Sequence, residues 1–346
     1  MFRWHTSFDE VSDLNLWVNS NSDRNLFCSW ELGRLWFDFY TPKKNHAELR
    51  ILHIEEDFGS LLWPLCISHG GWDKAFQKTL MPLGTGFFDY GGPICQGDAP
   101  QLWNIALEAI SSLPGWDYFL ARGLFEKYEK CTEESEIAPF ISLEGIDDVS
   151  LYLQKAKKSL REDVRRQINN CKKNGTLEYF RCTKEEALSL FDVYNQFHIS
   201  RWGWTLNYSF ATKMLDGIPS NVVCFDCLKI NGEPAALCLG FQDQYSYGYY
   251  KPVVNPKYHK QSPGKILLYY LLDQTIKSGR KKFDLLRGNE VYKFAWTQET
   301  RPLYVIEQKN PRFSSQVINF LSGILQSLSH LFKKLHWNVK HRIFKR

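Results

Sequence analysis

The sequence predicts an α+β protein built from two αβ units in tandem, followed by a basic tail. The length of 346 residues exceeds the usual size of a single hydrophobic core. The segments WDYFLARG, ending at Gly123, and KFDLLRG, ending at Gly288, align at an offset of 165 residues, and each follows a helix closed by glycine. Chance similarity of two Arg-Gly strand ends is the alternative. The repeat favours a first unit at 1–149, a second at 150–307 and a tail at 308–346.

The composition is that of a globular protein. Hydrophobic residues make up 44% and charged residues 23% of the chain. No apolar run is long enough to cross a bilayer and the first residues lack the pattern of a secretory signal, so we expect a cytoplasmic protein. The nine cysteines are irregularly spaced, which predicts free thiols. Cys224 and Cys227 lack a second pair of ligands, so no metal site is predicted.

The first unit opens with strands and then a helix. Residues 47–55 and 59–67 predict an antiparallel strand pair. A helix fits 101–113, Gly115 ends it, and residues 116–124 predict the next strand.

The second unit begins with helices and then returns to strands. The predicted elements are helices at 152–175 and 184–202, strands at 221–230, 234–242 and 245–254, a helix at 264–278 that is apolar almost all round, and a strand at 281–288. The first of these helices carries several basic residues, Lys157, Lys158, Arg161, Arg165, Arg166 and Lys172. They predict either a site for phosphate groups of the acceptor or a solvated basic face.

The charge of the chain is concentrated at its end. After Glu307 there are eight basic residues and no acidic one, so the rest of the chain has a net charge of 5 − 8 = −3. This asymmetry argues against a specific nucleic-acid partner. The tail places Val317, Leu321, Ile324, Leu328, Leu331 and Leu335 at helical spacing. That pattern predicts either a peripheral membrane contact through 317–346, on the inner face of the cell membrane, or packing on the protein itself.

Two neighbouring segments carry the polar residues expected of a site. Gln261-Ser262-Pro263-Gly264-Lys265 follows a strand and opens a helix, where backbone N–H groups and the helix dipole can hold a pyrophosphate; an ordinary helix start is the alternative. The next strand leads into DLLRGNEVYKFAW, which holds Asp284, Arg287, Glu290, Tyr292, Lys293 and Trp296. This density predicts a functional site, with a structural ion pair of Arg287 as the alternative.

These segments together resemble the C-terminal signature of the bacterial CelD-like acetyltransferases, a branch of the GNAT superfamily found with synthesis of cellulose and other extracellular polysaccharides. The pattern is kept at Ser262, Pro263, Gly264, Gly279, Asp284, Leu286, Arg287, Gly288, Glu290, Tyr292, Lys293 and Trp296. Further similarities lie in the arginine-rich helix, in Arg201-Trp202 and in Asp89-Tyr90.

The resemblance implies two tandem GNAT-like units, similar to the Fem-type transferases. Each would be a mixed, mostly antiparallel sheet flanked by helices, with a basic amphipathic helix at the C-terminus. Acetyl-CoA or another acyl-CoA would be held by the second unit through Gln261, Ser262, Gly264 and Lys265, and no metal is implied. Ile266 stands where the GNAT loop has glycine or alanine.

The implied reaction is direct acyl transfer, which needs a general base, an acid for the leaving thiolate and donors for the oxyanion. Glu290 is the preferred base over Asp284, which we expect nearer the sheet, and Tyr292 is the candidate acid. The remaining candidates would bind the acceptor or line its cleft, and they are Arg287, Lys293, Arg201, Trp202, His198, Asp89 and Tyr90. For His198 the alternative is a satisfied core histidine.

The sequence therefore predicts a GNAT-type N- or O-acyltransferase that acts on an amine or hydroxyl of a sugar or polysaccharide precursor. Two alternatives remain. A Fem-type aminoacyl-tRNA-dependent transferase would require RNA, against which the acidic balance of residues 1–307 argues. A catalytically silent membrane-docking scaffold would keep the fold without the chemistry.

Overall fold

The chain forms two compact units. The computed structural model describes residues 1–14, 17, 24–41, 47–71 and 74–343, with the side chains of the C-terminal helix described as far as Leu328. The first unit comprises Met1–Val18, Gly33–Glu133 and Tyr304–Arg346, and the second comprises Asn19–Leu32 and Glu134–Leu303. These units differ from the predicted ranges 1–149, 150–307 and 308–346 because the C-terminal segment belongs to the first unit and residues 134–149 to the second.

The first unit is a mixed sheet covered by a helix. Its strands are β1 (Phe2–His5), β2 (Glu48–Glu56), β3 (Gly59–His69), β4 (Lys78–Pro82), β5 (Ile94–Gly97), β6 (Tyr118–Leu124) and β13 (Thr300–Lys309), and its helices include α2 (Ala99–Ser112) and α9 (Phe313–Ile343), with α1 (Trp30–Tyr40) before β2. The order is β1-β2-β3-β4-β6-β13, with β5 on β3. Among the described strand pairs of this unit, β4–β6 is parallel and the others are antiparallel. The apolar face of α2 and the inner sheet face form one core.

The second unit repeats this arrangement. Its strands are β7 (Cys131–Ser142), β8 (Leu177–Arg181), β9 (Val223–Ile230), β10 (Glu233–Gln242), β11 (Ser246–Val254) and β12 (Lys282–Asp284), and its helices are α3 (Val149–Lys155), α4 (Lys158–Lys173), α5 (Lys184–Trp202), α6 (Tyr208–Gly217), α7 (Pro263–Lys277) and α8 (Lys293–Trp296). The order β8-β9-β10-β11-β12-β7 has one parallel pair, β11–β12. As its pattern predicts, α7 is buried on nearly all sides, against β9, β10 and β11.

Apart from β5, the strands of the two units correspond one to one, with one exchange. In each, two parallel strands flank a helix that packs on the sheet, β4-α2-β6 in the first and β11-α7-β12 in the second. The final strand of each sheet comes from the part of the chain that follows the other sheet's helix and strand. β7 follows β6 along the chain but pairs with β12, while β13 follows β12 and pairs with β6. The duplicated αβ pattern is therefore present, and the exchange explains why the first unit contains the C-terminal segment.

Two predicted elements differ from the observed ones. The helix predicted at 152–175 is two helices, because Ala156 and Lys157 have extended backbone angles. No glycine or proline marks this break; instead the Tyr152 hydroxyl is bonded to the carbonyl of Trp296, which ties α3 into the core. The strand predicted at 281–288 ends at Asp284, because the chain turns at Leu286, where φ is +62°.

Candidate functional site

The parallel strands of the second unit separate at their carboxyl ends. β11 and β12 pair only from Ser246 opposite Lys282 to Gly248 opposite Asp284. β11 then continues to Val254, whereas the chain leaves β12 after three residues. In open sheets with parallel strands, ligands bind at the carboxyl ends where neighbouring strands separate. The same end of the sheet receives the N-terminus of α7, since that helix follows β11.

The start of α7 carries no cap of its own. Its N-cap residue, Ser262, has φ +51° and makes no side-chain capping hydrogen bond, and Pro263 occupies the first turn. The corresponding helix of the first unit, α2, is capped by Asp98, whose carboxylate accepts a hydrogen bond from the Gln101 amide at 3.1 Å. Backbone N–H groups at a helix start attract anions. In α2 the Asp98 carboxylate occupies this position, whereas no side chain occupies it in α7.

The other residues of this turn lie as follows. Gln261 has a buried side-chain oxygen without a hydrogen-bond partner among the residues that the structure describes. The Lys265 ammonium pairs with Asp163 of α4, whose pKa is lowered by hydrogen bonds from Lys265 and from Arg166. Ile266 is fully buried in the core of the unit, so its side chain points away from the helix start and does not crowd an anion there.

The Lys265–Asp163 pair places the basic helix α4 beside the start of α7. Arg166 pairs with Asp163 as well, and Arg161 donates to the carbonyl of Gln154 at 3.3 Å. Arg165 and Arg166 are exposed. The basic face is thus solvated, as one of the two predicted alternatives has it, and it adjoins the turn at which an anion would bind.

The first part of the polar loop after β12 is anchored to the sheet. The Asp284 carboxylate is buried; it accepts a hydrogen bond from the Leu286 amide at 2.8 Å and lies 3.4 Å from the buried Lys282 ammonium. Loop amides also reach β7, since the amides of Leu285 and Gly288 each donate to a β7 carbonyl at 2.9 Å. Asp284 therefore lies at the sheet, as expected, and its contacts fix the turn.

Arg287 and Lys293 are engaged inside the loop. The Arg287 guanidinium pairs with two carboxylates of β7, Glu134 and Glu136, the latter at 2.6 Å. Lys293 is 3% exposed; its ammonium donates to the Leu286 carbonyl at 3.1 Å and to the Arg287 carbonyl at 2.8 Å. Both cations were predicted to bind the acceptor, and in the structure both hold the loop in place.

Glu290 and Tyr292 carry the accessible chemistry of the loop. The half-exposed Glu290 carboxylate lies 2.9 Å from the Lys293 ammonium. A Cβ at Gly288, where φ is +128°, would lie only 2.3 Å from that carboxylate, so the loop requires glycine there. Burial first, and then the charge of Glu290, raises the pKa of the Tyr292 phenol, while Arg201 acts in the opposite sense. Tyr292 thus stays protonated well beyond neutral pH.

Arg201 and Tyr249 extend this cluster. The Arg201 guanidinium donates to the Pro252 carbonyl at 2.9 Å and lies 4.4 Å from the ring centre of Trp202. Burial raises the pKa of Tyr249 on β11, and the nearby Tyr292 phenol raises it further. The sequence analysis did not single out Tyr249. Alternation along β11 could have indicated it, since Tyr247 and Tyr249 share one face.

His198 lies in an aromatic cluster. It is 1% exposed, its Nδ1 lies 2.9 Å from the Trp204 carbonyl, and its ring contacts Trp202 and Trp204. Burial lowers its pKa, and Lys251 and Arg201 lower it further against the opposing hydrogen bond to Trp204. Trp202 and Trp204 remain partly exposed. The geometry fits the alternative given for His198, a satisfied histidine that supports the indoles.

Asp89 and Tyr90 belong to the first unit. Tyr90 is buried and packs edge-on against Phe125. Asp89 is half-buried, and its carbonyl would lie 2.3 Å from a Cβ at Gly123. This close approach explains the glycine at the end of β6, where φ is +68°.

The C-terminal helix α9 buries polar residues and exposes apolar ones. Its buried residues are polar: Ser315 donates to the Asp117 carboxylate at 2.6 Å, and Asn319 donates to the Asp117 carbonyl at 2.8 Å. Its large apolar side chains are exposed instead, namely Phe313, Val317, Phe320, Leu321, Ile324, Leu325 and Leu328. Of the predicted stripe, Leu331 and Leu335 lie outside the described side chains.

In the described part of the chain, no helix is both long and apolar enough to span a bilayer. The same residues contain no group of histidine, cysteine and acidic side chains suited to a metal ion.

Part of the second unit matches a known protein family. Residues 158–294, which include α4, the start of α7 and the polar loop, match the family described as acetyltransferase (GNAT) domain. The second unit is thus similar to a GNAT domain over these residues. This match covers the turn at Gly264 and extends through Glu290, Tyr292 and Lys293. Comparison with curated proteins finds no significant match.

Solved structures show the same architecture over most of the chain. FemX is similar with a TM-score of 0.63 at 10% identity, covering 92% of this chain and 100% of its own. A conserved protein of unknown function from Bacteroides thetaiotaomicron gives a TM-score of 0.58 at 12% identity, covering 88% and 99%. The residues that match a GNAT domain thus lie within a fold similar to that of FemX, and the predicted fold class is confirmed.

Proposed function

We propose that the protein is an acyl-CoA-dependent N- or O-acyltransferase that moves an acyl group, acetyl in the simplest case, to an amine or hydroxyl of a sugar or polysaccharide precursor. One observation carries the proposal: the uncapped start of α7 lies at the separating ends of β11 and β12, within the residues that match a GNAT domain. The CelD-like resemblance supplies the acceptor class.

The proposed acyl-CoA site is the turn before α7. The Gly264 amide would hold the pyrophosphate, since the Lys265 amide donates to the Ser262 carbonyl at 3.0 Å, and Gln261 and Ser262 would border it. The exposed guanidinium groups of Arg165 and Arg166 on α4 offer additional positive charge for the phosphates. Acyl-CoA supplies the activated thioester; the protein supplies orientation and charge.

Glu290 and Tyr292 carry the proposed proton transfers. Glu290 takes the proton of the acceptor amine or hydroxyl as its nitrogen or oxygen forms the bond to the acyl carbon. The carbon–sulfur bond then breaks, and Tyr292 donates its proton to the CoA thiolate. A raised pKa suits this role because the phenol must be protonated before transfer. Asp284, Arg287 and Lys293 are positioning residues for this loop.

The acceptor surface proposed here includes Arg201 and Trp202. A guanidinium stacked on a partly exposed indole offers both charge and an apolar face to a sugar. His198 would act through Trp202 and Trp204 rather than by contact. Roles for Asp89 and Tyr90 toward the acceptor remain predictions.

We also propose a peripheral membrane contact through α9. The exposed apolar residues from Phe313 to Leu328 lie on the same helix as a C-terminal stretch without acidic residues. An interfacial helix combines these two properties, and an anionic bilayer surface complements both. The polar face of the helix meets its own unit, so the apolar face is left for the lipid.

Gly264→Asp tests the acyl-CoA site. In the wild type, acetyl-CoA at 100 times its Kd should stabilise the fold by about 2.7 kcal/mol, seen as a higher Tm. The added bulk and negative charge at the helix start should abolish this shift and the acyl transfer. Gln101→Asp, which places the same charge at the start of α2, is the matched control and should keep both. An unchanged shift in Gly264→Asp would place acyl-CoA elsewhere, and activity that requires aminoacyl-tRNA would favour the Fem-type alternative.

A further inference from the structure

The first unit contains a cavity of about 1000 Å³. Its floor includes Thr79, Tyr118 and Leu120, whereas the alternate side chains Leu80 and Phe119 point into the core beneath α2. The cavity therefore lies on the sheet face opposite that core. Its volume is at the upper end of the range for small-molecule sites.

Aromatic rings line much of this cavity. Trp36 and Tyr40 come from α1, Phe87 from the turn after β4 and Tyr118 from β6. Flat apolar rings combined with polar groups suit a ligand that has both a carbon-rich face and hydroxyl groups. A pyranose ring has this character, because its axial C–H bonds form apolar patches between its hydroxyls.

Several charged groups around the cavity are paired with groups of opposite charge, and Lys74 adds a further cation to the lining. Arg122 pairs with Glu307 at 2.9 Å, and His69 Nε2 lies 3.1 Å from the Glu48 carboxylate. The Tyr118 hydroxyl is hydrogen-bonded to Glu307; burial, followed by this bond, raises its pKa, so the phenol stays protonated. The lining therefore presents many donors and acceptors and few charges, namely the Arg122–Glu307 pair, Lys74 and His69.

One polar atom of the lining is left unsatisfied. The Thr41 hydroxyl is buried and has no hydrogen-bond partner among the described residues. A buried hydroxyl without a partner costs free energy unless a ligand or water completes it. A hydroxylated ligand in the cavity would supply that partner.

We propose that this cavity binds a neutral saccharide built from pyranose rings. Any role of this saccharide in acyl transfer rests on the proposed function, in which Arg201 and Trp202 of the second unit contact the acceptor, but the binding itself does not. The proposal therefore adds a saccharide site in the first unit to the acceptor surface of the second.

Saccharide binding to the full chain tests the proposal. Saturation-transfer NMR and titration calorimetry with glucose, N-acetylglucosamine and cellobiose should detect binding of at least one of them. Tyr118→Phe removes one hydroxyl and should weaken binding about three- to tenfold. Tyr208→Phe is the matched control, because it loses a hydroxyl bonded to Asp192 in the second unit, and it should bind like the wild type.

The outcomes separate this proposal from the proposed function. Binding of none of the three sugars, equal binding by Tyr118→Phe, or displacement of the sugar by acetyl-CoA would each overturn the saccharide site. Loss of acetyl-CoA binding alone, with sugar binding and its dependence on Tyr118 intact, would overturn the acyl-transfer function and leave the site standing.

Discussion

Lys293 explains much of the polar density that marks the loop after β12. Its buried ammonium holds two backbone carbonyls and the Glu290 carboxylate, while Arg287 pairs with two glutamates of β7. A cluster of charged residues in a sequence indicates a site, but it does not show which residues react and which only hold the reactive ones in position. Here the ion-pair partners make this distinction. It could not be made from the sequence, because Glu134 and Glu136 lie about 150 residues away from Arg287.

Glu290→Gln should lower turnover roughly a hundredfold or more and leave acetyl-CoA affinity nearly unchanged, because a general base acts mainly in the transition state. Steady-state kinetics and calorimetry measure the two quantities. Glu233→Gln, which also removes a carboxylate paired with a lysine, is the control and should be fully active. Full turnover by Glu290→Gln would make Glu290 only a partner of Lys293.

Asp284→Asn should lower the free energy of unfolding by about 3 kcal/mol, because it removes the carboxylate charge that lies 3.4 Å from the buried Lys282 ammonium. Denaturant unfolding measures this change. The double variant Asp284→Asn with Lys282→Met should be less destabilised than Asp284→Asn alone, since the buried ammonium is then removed together with the carboxylate charge. If the two losses simply add, the ion pair does not stabilise the turn.

His198 predicts a pH dependence of stability. Burial, the largest effect, lowers its pKa below the value of about 6.5 in the unfolded chain. Its contribution is therefore complete above about pH 6.5 and is lost as the pH falls, because the unfolded state binds the proton more readily. Between pH 7 and 5 the wild type should lose more stability than His198→Gln, while the exposed His259→Gln should follow the wild type. Parallel curves for wild type and His198→Gln would contradict this.

At the scale of elements, the starts of α2 and α7 show how one repeated unit diverges. Both helices pack on a sheet between two parallel strands, yet Asp98 caps α2 and no side chain caps α7. The sequence placed a turn that resembles a GNAT loop before the second helix, but it did not predict that Asp98 caps the first. It could not predict the break at Ala156, because that break depends on packing of Tyr152 rather than on local preference.

The outward apolar face of α9 gives a prediction about membranes. Replacing Phe313, Phe320 and Ile324 by serine should reduce binding to vesicles of phosphatidylglycerol and phosphatidylcholine by at least tenfold, because three exposed apolar groups no longer enter the lipid. The Tm should hardly change, since these side chains are exposed in the fold. Cosedimentation measures binding, with Phe76→Ser, an exposed phenylalanine elsewhere, as the control. Equal binding by the triple variant and wild type would refute the contact.

At the scale of the whole molecule, the sequence predicted the duplicated unit but not which strands complete each sheet. The offset between Arg122 and Arg287 carries the duplication, and in both copies the arginine pairs with glutamate on the neighbouring strand, Glu307 in the first and Glu134 in the second. The exchange of β7 and β13 cannot be read from the residues of these strands, because the alternation of apolar and polar residues is the same whichever sheet a strand joins. For the same reason Tyr249 was missed, since its relation to Tyr292 and Arg201 arises only from folding.

The number of acetyl-CoA molecules bound per chain tests the central claim most directly. Two similar units are present, but of the corresponding helices α2 is capped by Asp98, whereas α7 has no side-chain cap and lies within the residues that match a GNAT domain, so calorimetric titration of the full chain should give one site. The same titration of Gly264→Asp should show no binding, and Gln101→Asp should again show one site. Two sites in the wild type, or one site that persists in Gly264→Asp, would contradict the account.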